Sequence, residues 1–355
     1  MRITLQDIAD KLGVTKAAVS MALRNNPRIS AERRKEIQRI ASELGYEPDP
    51  FLSRLSAYRS QKNVARPEGV IAWLNHWNEP KNLRGFHEFD LYWRGAKEAA
   101  RRLGYLLEEV IWTKDRPARE IEQELTARGV LGLLLPPHKR DVDWQDFDWK
   151  RFSLVRFGLS VRKPDSNLVT SDHQRAMVMA VKKIHELGYR RIGLIFSWEH
   201  DRSIGGNIYG GFIWATRLLG IQNPIPPLDS ETDATETTDI AKRNLQTWLK
   251  RHKPDAILTT RPETISLLRE LGYRVPGDIA VAGTSVYDIP VDGGIDQRPK
   301  AIGGVAAKML IKQISLNERG EPDDPCRILV ESRWKDGKTV PRKTPAEPSA
   351  RRARA

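Results

Sequence analysis

At 355 residues, 39% apolar and 30% charged, the chain exceeds what one hydrophobic core usually serves, so two or more globular domains are expected. A lone Cys326 excludes a disulfide framework or a thiolate zinc cluster, no run approaches the roughly 18 apolar residues of a membrane span, and Met1-Arg2-Ile3-Thr4 opens no signal peptide, so a cytoplasmic protein is expected. The net charge of +13 is uneven, +6 over residues 1–66, +5 over 335–355 and only +2 between them, and the basic head suggests a polyanionic partner.

Thr4 is placed to cap a first helix, with Asp7 three residues on in a capping-box variant. Leu5, Ile8 and Leu12 fall at helical spacing, and Gly13 supplies a left-handed stop. Thr15 caps a second helix from Lys16 to about Arg24, and two short helices across a glycine-containing turn form a helix-turn-helix pattern. Ala9, Val19 and Leu23 can face inward, leaving Lys16, Ala17, Ser20, Met21 and Arg24 outward. Ser30 caps a third helix reaching Leu44, with Ile37, Ile40, Ala41 and Leu44 as its apolar stripe and Gly45 closing it. Asp49-Pro50 can open a further helix through Arg59, too short to be stable unless docked, and residues 60–67 read as a polar linker.

The run from Leu5 to Leu23, the Ser30 helix and Leu44-Gly-Tyr-Glu-Pro48 resemble the headpiece of the lac repressor (LacI/GalR) family of bacterial transcription regulators. The resemblance implies a homodimer on a palindromic double-stranded DNA operator, with a small-molecule effector and no cofactor or catalytic centre. Position by position, it assigns Lys16, Ala17 and Met21 to base edges in the major groove. Thr4, Thr15, Ser20, Arg24 and Ser30 fall to phosphates, which orient the protein without reading sequence. Leu55 matches the hinge-helix leucine that wedges into the minor groove.

Beyond residue 68, strands and helices alternate. Strands are expected at Gly69–Leu74, Tyr105–Trp112, Val130–Leu135, Phe152–Gly158, Ile192–Phe196, Asp255–Leu258 and Ile279–Ala282. Helices are expected at about 91–103, 120–128, 173–187 and 263–271. This alternation argues for a doubly wound parallel α/β body. Gly188-Tyr-Arg-Arg-Ile-Gly193 and Gly272-Tyr-Arg-Val-Pro-Gly-Asp-Ile-Ala-Val281 extend the resemblance to about residue 340. They imply a two-lobed, periplasmic-binding-protein-like domain whose chain crosses between lobes three times. The resulting organisation is a headpiece over 1–48, a hinge helix and linker over 49–67, a body over 68–340 and a disordered basic tail over 341–355. The basic, polar composition of that tail begins at Lys338.

No Walker loop, dinucleotide fingerprint or zinc helix is present, and Gly205-Gly206 reads as a loop entering a helix. The expected cleft residues are Trp73, Trp77, Trp93, Trp198, Asn207 and Arg261, with the tryptophan faces suited to planar or sugar-like ligands, or any one of them equally to core or lobe-interface packing, and Arg261 to an acidic group. Three positions depart from the family pattern. Ile208 stands where an arginine often precedes the Gly-aromatic pair, here Gly211-Phe212. Thr260-Arg261 replaces Asn-Asp, and Gly283-Thr284-Ser285 replaces Gly-aromatic-Asp. These are positions that hold sugar hydroxyls in family members. A carbohydrate derivative is the favoured effector class, and an effector-independent or architectural DNA-binding protein is the alternative.

Overall fold

The computed structural model describes residues 3–23, 26, 28–44, 46, 68–138, 142–230 and 238–343. Its head is a three-helix cluster of α1 (Leu5–Leu12), α2 (Lys16–Leu23) and α3 (Ala31–Glu43). The helices bury Ile8, Ala9, Val19, Ala22, Ile37, Ile40 and Ala41 against one another, with Leu23 and Leu44 partly buried at the margin. The cap signals are realised: Thr4 and Asp7 form the capping box, and Gly13 takes the left-handed conformation at φ 63°. The Arg33 N–H donates to Ser30 Oγ. Arg24, Gly45, the expected hinge helix, Leu55 and the linker lie outside the described residues.

The body contains two six-stranded sheets. In the first lobe, β1 (Gly69–Asn75) leads through α4 (Pro80–Leu83) and α5 (His87–Arg102) to β2 (Tyr105–Ile111). It continues through α6 (Ala118–Ala127), β3 (Val130–Leu135), β4 (Ser153–Phe157) and β5 (Asn167–Ser171). The chain then crosses to the second lobe with α7 (His173–Glu186), β6 (Ile192–Phe196), α8 (Trp198–Ser203), α9 (Asn207–Leu218) and β7 (Leu228–Asp229). That lobe is completed by α10 (Thr238–His252), β8 (Ala256–Thr259), α11 (Thr264–Glu270), β9 (Ala280–Gly283) and β10 (Gly294–Asp296). It returns with α12 (Pro299–Leu316) and β11 (Arg327–Val330) and crosses again to end in β12 (Arg333–Lys335). The strand orders, β11-β5-β4-β3-β1-β2 and β12-β10-β9-β8-β6-β7, thus give three crossings. All described pairings are parallel except β10 with β12.

Helix α10 and strands β7 and β10 to β12 are not singled out in the sequence, and two further features differ from its reading. Helix α12, which no periodicity singled out, packs along α5 in the first lobe's core. The backbones come so close that a Cβ added at Gly303 would lie 2.0 Å from the Tyr92 carbonyl oxygen, and one at Gly95 2.0 Å from that of Lys300. Second, residues 338–343 are not a free tail but part of the second lobe. The N–H groups of Lys338 and Thr339 donate to Asp292, Val340 is buried, Tyr189 donates to the Pro341 carbonyl, and the Lys343 N–H donates to that of Leu187. A basic composition concealed these contacts because they are made mostly by backbone groups. The remainder of the expected tail, 344–355, lies outside the described residues.

Candidate DNA-reading face and inter-lobe cleft

Helix α2 divides into two faces. Val19 and Ala22 are buried in the head, whereas Lys16 and Ala17 are exposed and Ser20 and Met21 half-buried on the opposite side. The turn that presents this face is fixed locally. Thr15 Oγ1 accepts the Ala18 N–H at 3.1 Å, and the Gly13 N–H returns to the Ala9 carbonyl. The face is also held from behind by α3: Gln38 Nε2 donates to the Ala22 carbonyl at 3.1 Å, and Arg33 Nη2 to the Leu12 carbonyl at 3.2 Å. Both carbonyls lie in the last turns of their helices, where no intrahelical donor remains. Thr4 differs from the other expected phosphate contacts. Its N–H and its hydroxyl both donate to Asp7 Oδ2, at 2.7 and 2.8 Å, so its donors serve the cap. The Thr15 and Ser30 hydroxyls only accept in their caps and keep a proton to donate.

The six expected cleft residues do not form one site. Trp73 and Trp93 are core residues of the first lobe: Trp73 is fully buried, edge-on to Trp93 at 5.7 Å and 5.1 Å from Phe157. The face of α5 that carries Trp93 also carries Tyr92, Ala96 and Ala100 into that core. Trp77 does lie at the strand ends, following β1. It donates to the Pro137 carbonyl at 2.9 Å and packs with Phe86, Phe89 and His138. The His138 imidazole is held neutral by burial, its pKa pushed down to about 3. Trp198 stands 46% exposed at the start of α8, beside Tyr209. The Asn207 amide is turned back to the Ile204 carbonyl. Arg261 is already paired with Glu263, its Nε 2.7 Å from Oε1, which corrects the expectation that its charge waits for an acidic ligand. The loop reading of Gly205-Gly206 holds. Gly206 is left-handed ahead of α9, and buried Asp201 supplies the missing cap by accepting the N–H groups of Ile208 and Tyr209.

Where the lobes meet, the polar contacts come from residues the sequence reading did not select. Asp288, in the loop between β9 and β10, accepts the N–H of His87 at 2.8 Å and of Glu88 at 3.2 Å, the first two residues of α5. Glu88 is buried and accepts the hydroxyls of Tyr92 at 3.0 Å and of Ser285, across the cleft, at 3.1 Å. The His87 and Tyr287 rings lie 5.7 Å apart, and Tyr287 donates to Asp296 at 2.7 Å. Burial pushes the Glu88 carboxyl from 4.5 up to about 7, with Asp288 and Asp296 adding to the rise and the Tyr92 and Ser285 hydroxyls opposing it. One sequence signal was present for this site: Ser285 falls within the departure from Gly-aromatic-Asp.

A helix-turn-helix head joined to a two-lobed α/β body whose chain crosses three times defines a class, the DNA-binding transcription regulators with a ligand-binding-type body. Residues 4–49 match the model of the bacterial regulatory proteins of the lacI family, and residues 181–340 that of the periplasmic binding protein-like domain. The chain belongs to the lac repressor family and is a DNA-binding transcription regulator. Its relatives include the HTH-type transcriptional regulator KdgR of Bacillus subtilis, 24% identical over 90% of this chain and 93% of that one. Another is the HTH-type transcriptional repressor CytR of Escherichia coli, 24% identical over 88% and 89%. The fold is shared with a CelR–cellobiose complex, at TM-score 0.56 and 20% identity over 95% of this chain and 100% of that one. It is shared too with the lac repressor dimer bound to operator and the anti-inducer ONPF, at TM-score 0.51 and 18% identity over 96% and 99%. Among the described residues, no helix is long and apolar enough to cross a membrane.

Proposed function

We propose that two copies of the chain bind a palindromic operator, each head reading one half-site, and that a small molecule in the inter-lobe cleft modulates binding. The observation that carries the reading is the outward face of α2, where Lys16 and Ala17 stand exposed at the helix-turn-helix turn with Ser20 and Met21 beside them. Lys16, Ala17 and Met21 meet base edges; Thr15, Ser20, Arg24 and Ser30 bind phosphates; Leu55, within a hinge over 49–67, wedges into the minor groove. Thr4 contributes through the cap that fixes α1. The protein acts by binding rather than catalysis, in the cytoplasm where the chromosome lies. A carbohydrate derivative is the proposed effector class, supported by the cellobiose complex of CelR, whose fold this chain shares.

Selection from random duplexes, followed by salt-titrated binding to the selected and to scrambled sequences, tests the reading. A specific regulator yields a palindrome and binds it at least about a thousandfold more tightly than scrambled DNA. An architectural protein yields no motif and a ratio near one, and that result would overturn the proposal. Thermal shift against a carbohydrate panel tests the effector, because a ligand that binds only the folded chain raises the melting temperature with its concentration.

A further inference from the structure

We propose that Glu88, Ser285 and Asp288 form an inter-lobe latch through which the second lobe caps helix α5 of the first and holds the cleft closed without a ligand. The inference deepens the proposed regulation of the cleft and rests on the lobes moving relative to each other. Helix α5 needs such a cap, because Phe86 at its N-cap position offers no side-chain acceptor. The N–H groups of His87 and Glu88 therefore have no partner on their own lobe, and Asp288 supplies one carboxylate oxygen to each. A negative charge at that end also meets the positive pole of the helix dipole. Ser285 adds a third hydrogen bond across the cleft, to Glu88. It does so close to where family members place Gly-aromatic-Asp, so this chain's own carboxyl occupies the polar surface of that loop.

The latch contains its own release. Closing buries the Glu88 carboxyl, and opening returns it to water. The groups acting on it are Tyr92 from its own helix and Ser285, Asp288, Asp296 and Tyr287 from the second lobe; none of these is a cation, and the Tyr92 and Ser285 hydroxyls offset only part of the cost of ionising it in place. With the carboxyl near 4.5 when hydrated and at about 7 when closed, the closed state binds more protons than the open one. Closure is unpenalised below pH 4.5, weakens as pH rises toward 7 and levels off above it. Between pH 5.5 and 7.5 the closed-to-open ratio is expected to fall about twentyfold.

Hydrogen exchange of the ligand-free full chain, resolved to single amides at His87 and Glu88 and corrected for intrinsic rates, reads the latch directly. Both amides should be protected in the native chain. Asp288→Ala should remove that protection, and Ser285→Ala should reduce it severalfold, with the α2 and α12 amides unchanged in both. Protection should fall about twentyfold from pH 5.5 to 7.5 in the native chain and stay within about twofold in Glu88→Gln. Unprotected amides in the native chain, protection that survives Asp288→Ala, or a native profile flat in pH would each overturn the latch. If Glu88→Gln does not fold, the two second-lobe variants and the native pH profile decide. Neither DNA nor an effector enters the experiment, so a failure to select an operator or find a ligand leaves the latch standing, and its own failure leaves them untouched.

Discussion

Lys16 carries the one side-chain donor among the three residues proposed to meet base edges, and it stands exposed at the start of α2. Guanine O6 and N7 are acceptors suited to it, while Ala17 and Met21 can offer only apolar contact, which suits thymine methyls. Lys16→Ala should therefore relax preference at a single base pair, costing about 1–3 kcal/mol there, as measured by competition with duplexes varied one position at a time. An equal loss on every sequence would move Lys16 to the phosphate contacts. The caps at Thr4, Thr15 and Ser30 were legible because each is a bond between residues three apart. The cleft was not. Strand β1 is buried on both faces, so no alternation tells which face Trp73 takes, and a tryptophan suited to a ligand is equally suited to the core. For Arg261, the partner that neutralises it stands two residues away, at Glu263. Glu88, the buried carboxyl of the cleft, depends on a loop nearly 200 residues later and left no local pattern.

The elements that escaped the sequence reading did so because their constraint lies on a neighbouring element. The Gly303-Gly304 pair weakens the helical signal of α12, yet Gly303 lets that helix approach α5 until backbone meets backbone. Gly303→Ala must push a methyl into the Tyr92 carbonyl, which no rotamer change relieves. The expected loss is at least about 2 kcal/mol, against the gain of a few tenths to about 1 kcal/mol that alanine brings to an unhindered helix. Urea denaturation reads the difference, and a stabilised Gly303→Ala protein would show that the two helices separate freely. The strap over 338–343 gives a second contrast. Removing 344–355 should leave the melting temperature within about 1 °C. Removing 338–355 exposes the Val281 N–H, the Asp292 carboxylate and the pocket of Val340, and should lower the temperature by several degrees. Equal melting temperatures for the two truncations would mean the strap contributes nothing to the second lobe.

Across the whole molecule, charge and topology separate the labour. The head and the C-terminal segment hold the excess of basic residues and the chain between residues 67 and 334 is nearly neutral, so attraction to phosphates belongs to the two ends while the body is free to associate by packing. The two-lobed form was legible because strand-helix alternation is a local signal repeated many times, and the three crossings followed from the family resemblance rather than from any residue. On the proposed assignment a single head offers three side chains to base edges, with one donor among them, too little to select one site among the millions a genome presents. Two heads related by a two-fold axis double the contacts, and the operator then mirrors the protein's symmetry. In the proposed dimer the body is expected to supply the two-fold, since the described head has spent its apolar residues on its own small core. Sedimentation of the full chain at micromolar concentration should therefore give twice 40.4 kDa, with or without residues 344–355 and with or without DNA. Salt that strips the heads from DNA should leave that mass unchanged, because screening weakens phosphate contacts and not apolar packing. A monomer persisting at micromolar concentration, both alone and on the selected duplex, would remove the two-fold axis and with it the palindromic operator.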